Sequence, residues 1–255
     1  MKASFYNVFC SDSARGNPCA VVELEEWPSN EKLLLLTKEN NQPVTSFVVK
    51  SDSGCNIRCF SIEGEIGLCG HGCLGAGAAL ITKYGQNTVT LDSQYGRIEI
   101  EGGKLHYKIR LPSWPATPLS YDEDIIGSGI APVDVFSTRD LILVLDSEND
   151  VAQFEPDFEL MSSIEDFHAV IVTAQSSDDN YLNAGYVLRY FAPKIGIPED
   201  LATGSAQCSL APYWCSKLGV NKISARQLSA SGGYFEIEQI SGSSILITAQ
   251  VQIQH

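Results

Sequence analysis

One stretch of the sequence occurs twice. Gly70 to Gly85 reads GHGCLGAGAALITKYG and Gly204 to Gly219 reads GSAQCSLAPYWCSKLG. Laid together without a gap, they share three anchors at one constant offset: Gly70 on Gly204, Lys83 on Lys217 and Gly85 on Gly219. Fixed-offset self-similarity marks a duplicated unit, and two copies, short of the three a solenoid needs, divide a chain into two similar halves. Each half must then house one helix-length apolar stretch, opened by a small-residue turn and stopped by Lys-x-Gly. Polar residues fall at the same place in each copy, His71 in the first and Ser205 in the second, with Asp200 just upstream. Where two such halves face each other, two helix N-termini can converge on one cleft.

At 255 residues the chain has room for one large domain or two small ones, and the duplication favours two. A composition 44% hydrophobic and 19% charged is that of a globular protein able to bury a core. The net charge of −14 argues against a nucleic-acid backbone or an anionic membrane surface as partner, since both require clustered Lys and Arg. It leaves a small anionic ligand open, because a pocket can be locally positive. The N-terminus MKASFYNVF is too short and polar for a signal peptide. The most apolar window, Gly67 to Ile81, falls short of the roughly 20 residues of a membrane span. A cytoplasmic protein is expected, in which the eight cysteines are free thiols.

Strands are predicted over SFYNVF, Cys19–Leu24, Thr45–Lys50 and Asn56–Ser61, with a helix over Ser29–Asn41 capped by Ser29. A meander of TVTLDS, GRIEIE and KLHYKIRL follows the first repeat helix, with Gly102-Gly103 as its hairpin turn. The prolines of Pro112–Pro118 suggest an interdomain linker. Leu141–Leu145, Ala169–Thr173 and Ala184–Phe191 are further strands, and YFEIEQI and SILITAQVQI close the chain. Mostly antiparallel strands with one apolar helix per half indicate an α+β fold. No Rossmann or Walker phosphate loop is present.

Two openings could carry chemistry. In Cys69-Gly70-His71-Gly72, the glycines allow close backbone approach and a helix start presents unpaired N–H groups, which suits a carboxylate beside a proton-transfer group. Asp200-Leu201-Ala202-Thr203-Gly204-Ser205 opens the second copy in the same way. For each, simple helix capping is the competing reading. Cys69 and Cys73 flank His71 without the Cys-x2-Cys spacing of a structural zinc site, so no metal is expected. Cys55, Cys59, Cys208 and Cys215 read as packing residues. Cys69, at a helix N-terminus, is a candidate low-pKa thiol acting as acid, base or nucleophile.

These residues carry a resemblance. RGNPCAVV (Arg15 to Val22), NQPVTSFVV (Asn41 to Val49), IRCFSIEGEIGLCGHG (Ile57 to Gly72) and RYFAPKIGIPEDLATGSAQCSLAPYW (Arg189 to Trp214) resemble the PhzF-like (phenazine biosynthesis) family, nearly end to end. The resemblance implies a diaminopimelate epimerase-like fold: two pseudo-symmetric lobes, each a curled, mostly antiparallel sheet around a central helix, with the active cleft between them. The lobes are expected at 1–114, completed by the C-terminal strand 245–255, and at 119–244. The family's chemistry implies cofactor-free proton movement on a small carboxylate substrate by a homodimer. By motif position, His71, Asp200 and Ser205 match its polar active-site residues, and Asn17, Gly70, Gly72, Thr203 and Gly204 its ligand pocket. Two departures stand out. The family's general acid/base Glu is Val44 here, and the stretch Ala230-Ser231-Gly232-Gly233 lacks the arginine that many members place before the Gly pair. The second thiol of the cysteine-pair racemases falls on Leu201.

The expected function is an isomerase or epimerase in which Asp200 with His71, or Cys69, does the work of the missing Glu. The alternatives are a non-catalytic small-metabolite-binding protein and, less directly, hydrolytic or lyase chemistry through Cys69.

Overall fold

The computed structural model describes residues 2–51, 54–67, 69–120, 130–177 and 185–254. The chain divides into two compact units, Met1–Leu111 with Leu246–His255, and Pro112–Ile245.

The first unit contains β1 (Ser4–Cys10), β2 (Asn17–Leu24), α1 (Asn30–Asn40), β3 (Val44–Ser51), β4 (Gly54–Ser61), β5 (Gly64–Ile66), α2 (Gly70–Tyr84), β6 (Thr88–Ser93), β7 (Gly96–Gly103) and β8 (His106–Pro112). Further strands are β9 (Thr117–Pro118), β10 (Asp134–Ser137), β11 (Leu141–Val144), β12 (Val170–Gln175), β13 (Gly185–Phe191), β14 (Lys222–Gln227), β15 (Gly233–Ser241) and β16 (Ser244–Ile253). The helices α3 (Glu148–Gln153), α4 (Phe158–Ser163) and α5 (Gln207–Leu218) lie in the second unit.

In the first unit, β16 pairs with both β1 and β8, closing β1-β2-β3-β4-β6-β7-β8-β16 into a ring of eight strands. α2 packs against β1, β2, β3, β4, β6 and β7 and is buried from Gly70 through Ile81. Its small residues make that possible. A Cβ on Gly75 would stand 2.5 Å from the Cys19 sulfur, and one on Gly77 would stand 2.6 Å from Ile100. α1 covers the outside of the ring, its Leu33 packed with Val22, Phe47 and Phe60. Ser29 caps it as predicted, accepting from the Lys32 N–H.

The second unit repeats this plan. β1–β2 is antiparallel, β2–β3 parallel, β3–β4 antiparallel, β4–β6 parallel and β6–β7 antiparallel. The sequence β10–β11, β11–β12, β12–β13, β13–β14, β14–β15 runs through the same alternation. A parallel pair requires a crossover of a dozen or more residues, and a helix supplies each one. α1 and the pair α3–α4 serve the first crossover of each unit, and α2 and α5 the second. Alternation along β11 and β12 sorts the sides: Leu141, Leu143, Val170 and Val172 pack with Val151 and Phe154 of the α3 region. On the other face Thr173 accepts the Trp214 indole N–H of α5 at 3.1 Å.

Several boundaries differ from the sequence reading. Gly102 and Gly103 belong to β7, and the turn is Lys104–Leu105, with Lys104 at φ 59. The second repeat helix starts at Gln207, with Gly204–Ala206 forming a turn before it. The proline-rich 112–118 stretch ends in β9, paired to β10. The last strand of the second unit's centre is described from Gly185; Ala184 lies outside the described residues. β10, α3 and α4 were not anticipated. Among the described residues, no helix is long and apolar enough to cross a membrane.

Candidate active site

The first unit gathers its predicted residues around the start of α2. Neither Cys69 nor His71 caps that helix, since Cys69 at the N-cap makes no side-chain cap hydrogen bond. His71 is 8% exposed, and its Nδ1 lies 3.8 Å from the Cys69 sulfur. Gly70 and Gly72 are buried in the first turn. A Cβ on Gly72 would lie 2.7 Å from Ser46 Oγ, 2.9 Å from Cys59 Sγ and 3.0 Å from Cys69 Sγ. Both sulfurs and the hydroxyl thus converge on the space that the glycine leaves. Strand alternation places Val44 on the same face of β3 as Ser46, and Asn17 on the same face of β2 as Cys19. Val44 is buried and paired across from Cys19. Asn17, fully buried, opens β2.

Two expectations about the thiols are corrected here. Cys59 is no mere packing residue. Ser46 Oγ lies 3.4 Å from its sulfur, and with the Cys69 and Cys73 thiols, Ser46 and His71 around it, its pKa is held well below the usual thiol value. Cys69 is not the low-pKa thiol. Its hydrogen bond to Cys59 and its burial push it well up, and Cys73 goes the same way for the same two reasons. The physical reason is that a group of touching thiols holds one negative charge at lowest cost. The sulfur with the most polar neighbours becomes the easiest to ionise, and the thiols beside it become harder to ionise.

In the second unit the predicted residues form one tight turn. Asp200 Oδ1 accepts the Leu201 N–H at 2.9 Å and Oδ2 the Thr203 hydroxyl at 2.6 Å. Neither caps α5, whose N-cap Ala206 has no side-chain bond. Gln227, at the end of β14, was missed by sequence reasoning, and it locks the turn. Its Oε1 accepts the Thr203 N–H at 2.7 Å, while its Nε2 donates to the Asp200 carbonyl at 2.7 Å and to Thr203 Oγ1 at 3.1 Å. Gly233 lets β15 approach, since a Cβ there would stand 2.7 Å from that of Ala202. Thr203, Gly204 and Ser205 are buried.

Ser205 meets a second missed residue. Arg139 Nη2 donates to Ser205 Oγ at 3.4 Å and to the Tyr190 hydroxyl at 3.1 Å. Its Nε and Nη2 also fork onto the two oxygens of the fully buried Asp140, each at 3.1 Å. Nothing in the linear pattern of Ser137-Thr138-Arg139-Asp140 separates this arginine from a solvated turn residue. Among the described residues, no group of three or more His, Cys, Asp or Glu side chains is arranged to hold a metal ion.

The family of phenazine biosynthesis-like proteins matches residues 6–245. The chain belongs to this family. A Vibrio cholerae relative named an uncharacterized isomerase is 51% identical over 99% of this chain and 88% of its own length. Two solved structures are similar across 100% of the chain and 98% of theirs. One is a putative phenazine biosynthesis PhzC/PhzF protein from Clostridium difficile (TM-score 0.88, 31% identity). The other is a PhzF-family protein from Enterococcus faecalis (TM-score 0.86, 30% identity). The α+β epimerase-like fold expected from the sequence is therefore the fold of this family member, and the relatives support an isomerase.

Proposed function

We propose that the protein is a cofactor-independent isomerase or epimerase that moves a proton on a small anionic carboxylic acid. Cys69 and His71 serve as proton carriers in the first unit, and Asp200 and Ser205 serve in the second. Asn17, Gly70, Gly72, Thr203 and Gly204 shape the ligand site. What supports this reading most is the thiol cluster. Val44 cannot carry a proton, yet on the same face of β3 Ser46 meets Cys59, a thiol made easier to ionise beside Cys69 and Cys73, which are made harder. The Cys59 thiolate can take the proton of Cys69, leaving Cys69 as the thiolate that removes a proton from the substrate carbon and later returns it to the carbanion, after which Cys59 gives its proton back to Cys69. A positioned acid/base contributes typically 10²–10⁴-fold, so loss of such a carrier is measurable.

The test is proton NMR in D2O with amino acids, hydroxy acids and cyclic unsaturated acids. Enzyme-dependent loss of a carbon-bound proton signal is the expected result, reduced at least about 100-fold in Asp200→Asn and His71→Ala. Full exchange in both variants overturns the assignment of residues. Val44 itself favours a second reading, a binding protein on an isomerase scaffold. That reading requires tight metabolite binding without turnover, and exchange activity gained on Val44→Glu.

A further inference from the structure

We propose that Arg139 is the carboxylate anchor of the second unit's site, presenting Nη1 to the ligand with the Ser205 hydroxyl beside it. The proposal rests on the reading above, that the substrate is a small carboxylic acid, and deepens it by naming the group that fixes the acid.

The guanidinium is held on every side but one. Asp140 takes the Nε–Nη2 edge through both its oxygens, and Nη2 also serves Tyr190 and Ser205. The Trp114 ring covers one face, its centroid 5.0 Å from the guanidinium carbon. Nη1, with two N–H groups, makes no hydrogen bond to any described residue, and the side chain keeps 31% of its exposure. Asp140 is fully buried, so the pair cannot swing out to solvent. A surface arginine spends rotamer entropy whenever it grips a ligand; this one has already lost it.

Its surroundings suit an anion. Ser205 is only 8% exposed; its oxygen accepts from Arg139, and its hydrogen has no acceptor among the described residues. The backbone N–H groups of Gly204, Ser205 and Ala206, in the turn that opens α5, likewise donate to no described residue. Asp140 neutralises the Arg139 charge, so the arginine alone does not decide binding. The added negative charge of a carboxylate is met by these N–H groups and by the dipole of α5. Ala230-Ser231-Gly232-Gly233 offers no cation, and Arg226 is engaged by Glu148 and Ser176. One carboxylate oxygen on Nη1 and the other on the Ser205 hydroxyl is an arrangement in which each donor is already in place.

α5 itself helps to build the anchor. Pro212 has no N–H, which releases the carbonyl of Cys208 four residues earlier. The Trp114 N–H takes that carbonyl at 2.8 Å, fixing the residue whose ring lies on Arg139.

The experiment is NMR of the whole protein labelled with ¹⁵N at arginine side chains, titrated with acetate, benzoate and the uncharged benzamide. Acetate and benzoate should move the Arg139 signals saturably and benzamide should not. Arg139→Met should weaken benzoate binding by about tenfold or more, with Arg139→Lys restoring part of it and Ser205→Ala losing several-fold. Arg139→Met leaves Asp140 buried without its partner, so if that variant does not fold, the titration of the unaltered protein decides. Benzoate binding that leaves the Arg139 signals unmoved overturns the anchor, as does a lack of carboxylate binding. The two proposals fail separately. Carboxylate binding with no exchange in D2O removes the isomerase and keeps the anchor, whereas exchange in Arg139→Lys at unchanged KM removes the anchor and keeps the isomerase.

Discussion

Gly72 sits among the polar side chains of the first unit's candidate site. Its missing methyl group is what lets Ser46, Cys59 and Cys69 meet, so Gly72→Ala must push them apart. Overpacking of this kind costs about 1–3 kcal/mol, read by urea denaturation, and exchange activity should fall with it. Cys59 carries a pH signature. The groups facing it are Ser46 from β3, Cys19 from β2, and Cys69, His71 and Cys73 from α2. Its folded pKa is depressed, so its contribution to stability is complete above the ordinary thiol pKa of about 8.5 and is lost as pH falls through the folded value. Cys69 and Cys73 are raised, so theirs holds below about 8.5 and is lost above it. Thermal stability should therefore peak near that pH, and Cys59→Ala should flatten the acid side of the profile. A flat acid limb in the unaltered protein would contradict the shared charge. The sequence singled out Cys69, His71, Asp200 and Ser205 because they stand inside recognisable turns. It hid Cys59, Gln227 and Arg139, whose roles depend on partners from other strands. Cys59 meets a helix start ten or more residues on, Gln227 a turn 24 residues back, and Arg139 a serine 66 residues on.

At the scale of elements, the duplicated Lys-x-Gly stop is a matched pair of helix ends. Gly85 and Gly219 sit in the left-handed region at φ 65 and φ 68. Each cap donates its N–H to the residue four back, and the following residue donates to that same carbonyl, Ile81 in one copy and Cys215 in the other. A Cβ at either glycine meets nothing within 4 Å, so Gly85→Ala and Gly219→Ala differ from the parent by backbone strain alone. Each should cost about 1 kcal/mol, and the double variant should be additive within about 0.5 kcal/mol. A markedly larger loss in one would mean the two helices are not equivalent. The capped ends, the meander and the α1 helix were legible because local chemistry decides them. The parallel pairings were not, since β-branched runs such as VIVTA look alike whichever neighbour they take. β10, only four residues long, was likewise lost, and so were α3 and α4, each a turn and a half.

For the whole molecule, the repeat found in the sequence is also the repeat of strand pairing, and one strand does not respect the order of the halves. β16 comes last in the chain yet pairs with β1. It contributes Ile247, Ala249 and Val251 to the buried interior of the first unit. Removal of residues 246–255 should leave β1 and β8 with open edges, and loss of near-ultraviolet circular dichroism with precipitation is the expected result. A soluble, natively folded truncation would show that the ring closes without it. The same strand sets a timetable for biosynthesis. A ribosome delivers residues 112–245 before it delivers the closing strand, so the second unit can finish while the first, made earlier, still waits with two edges unpaired. The unit begun first is thus completed second, and any pause before residue 246 leaves the edges of β1 and β8 exposed.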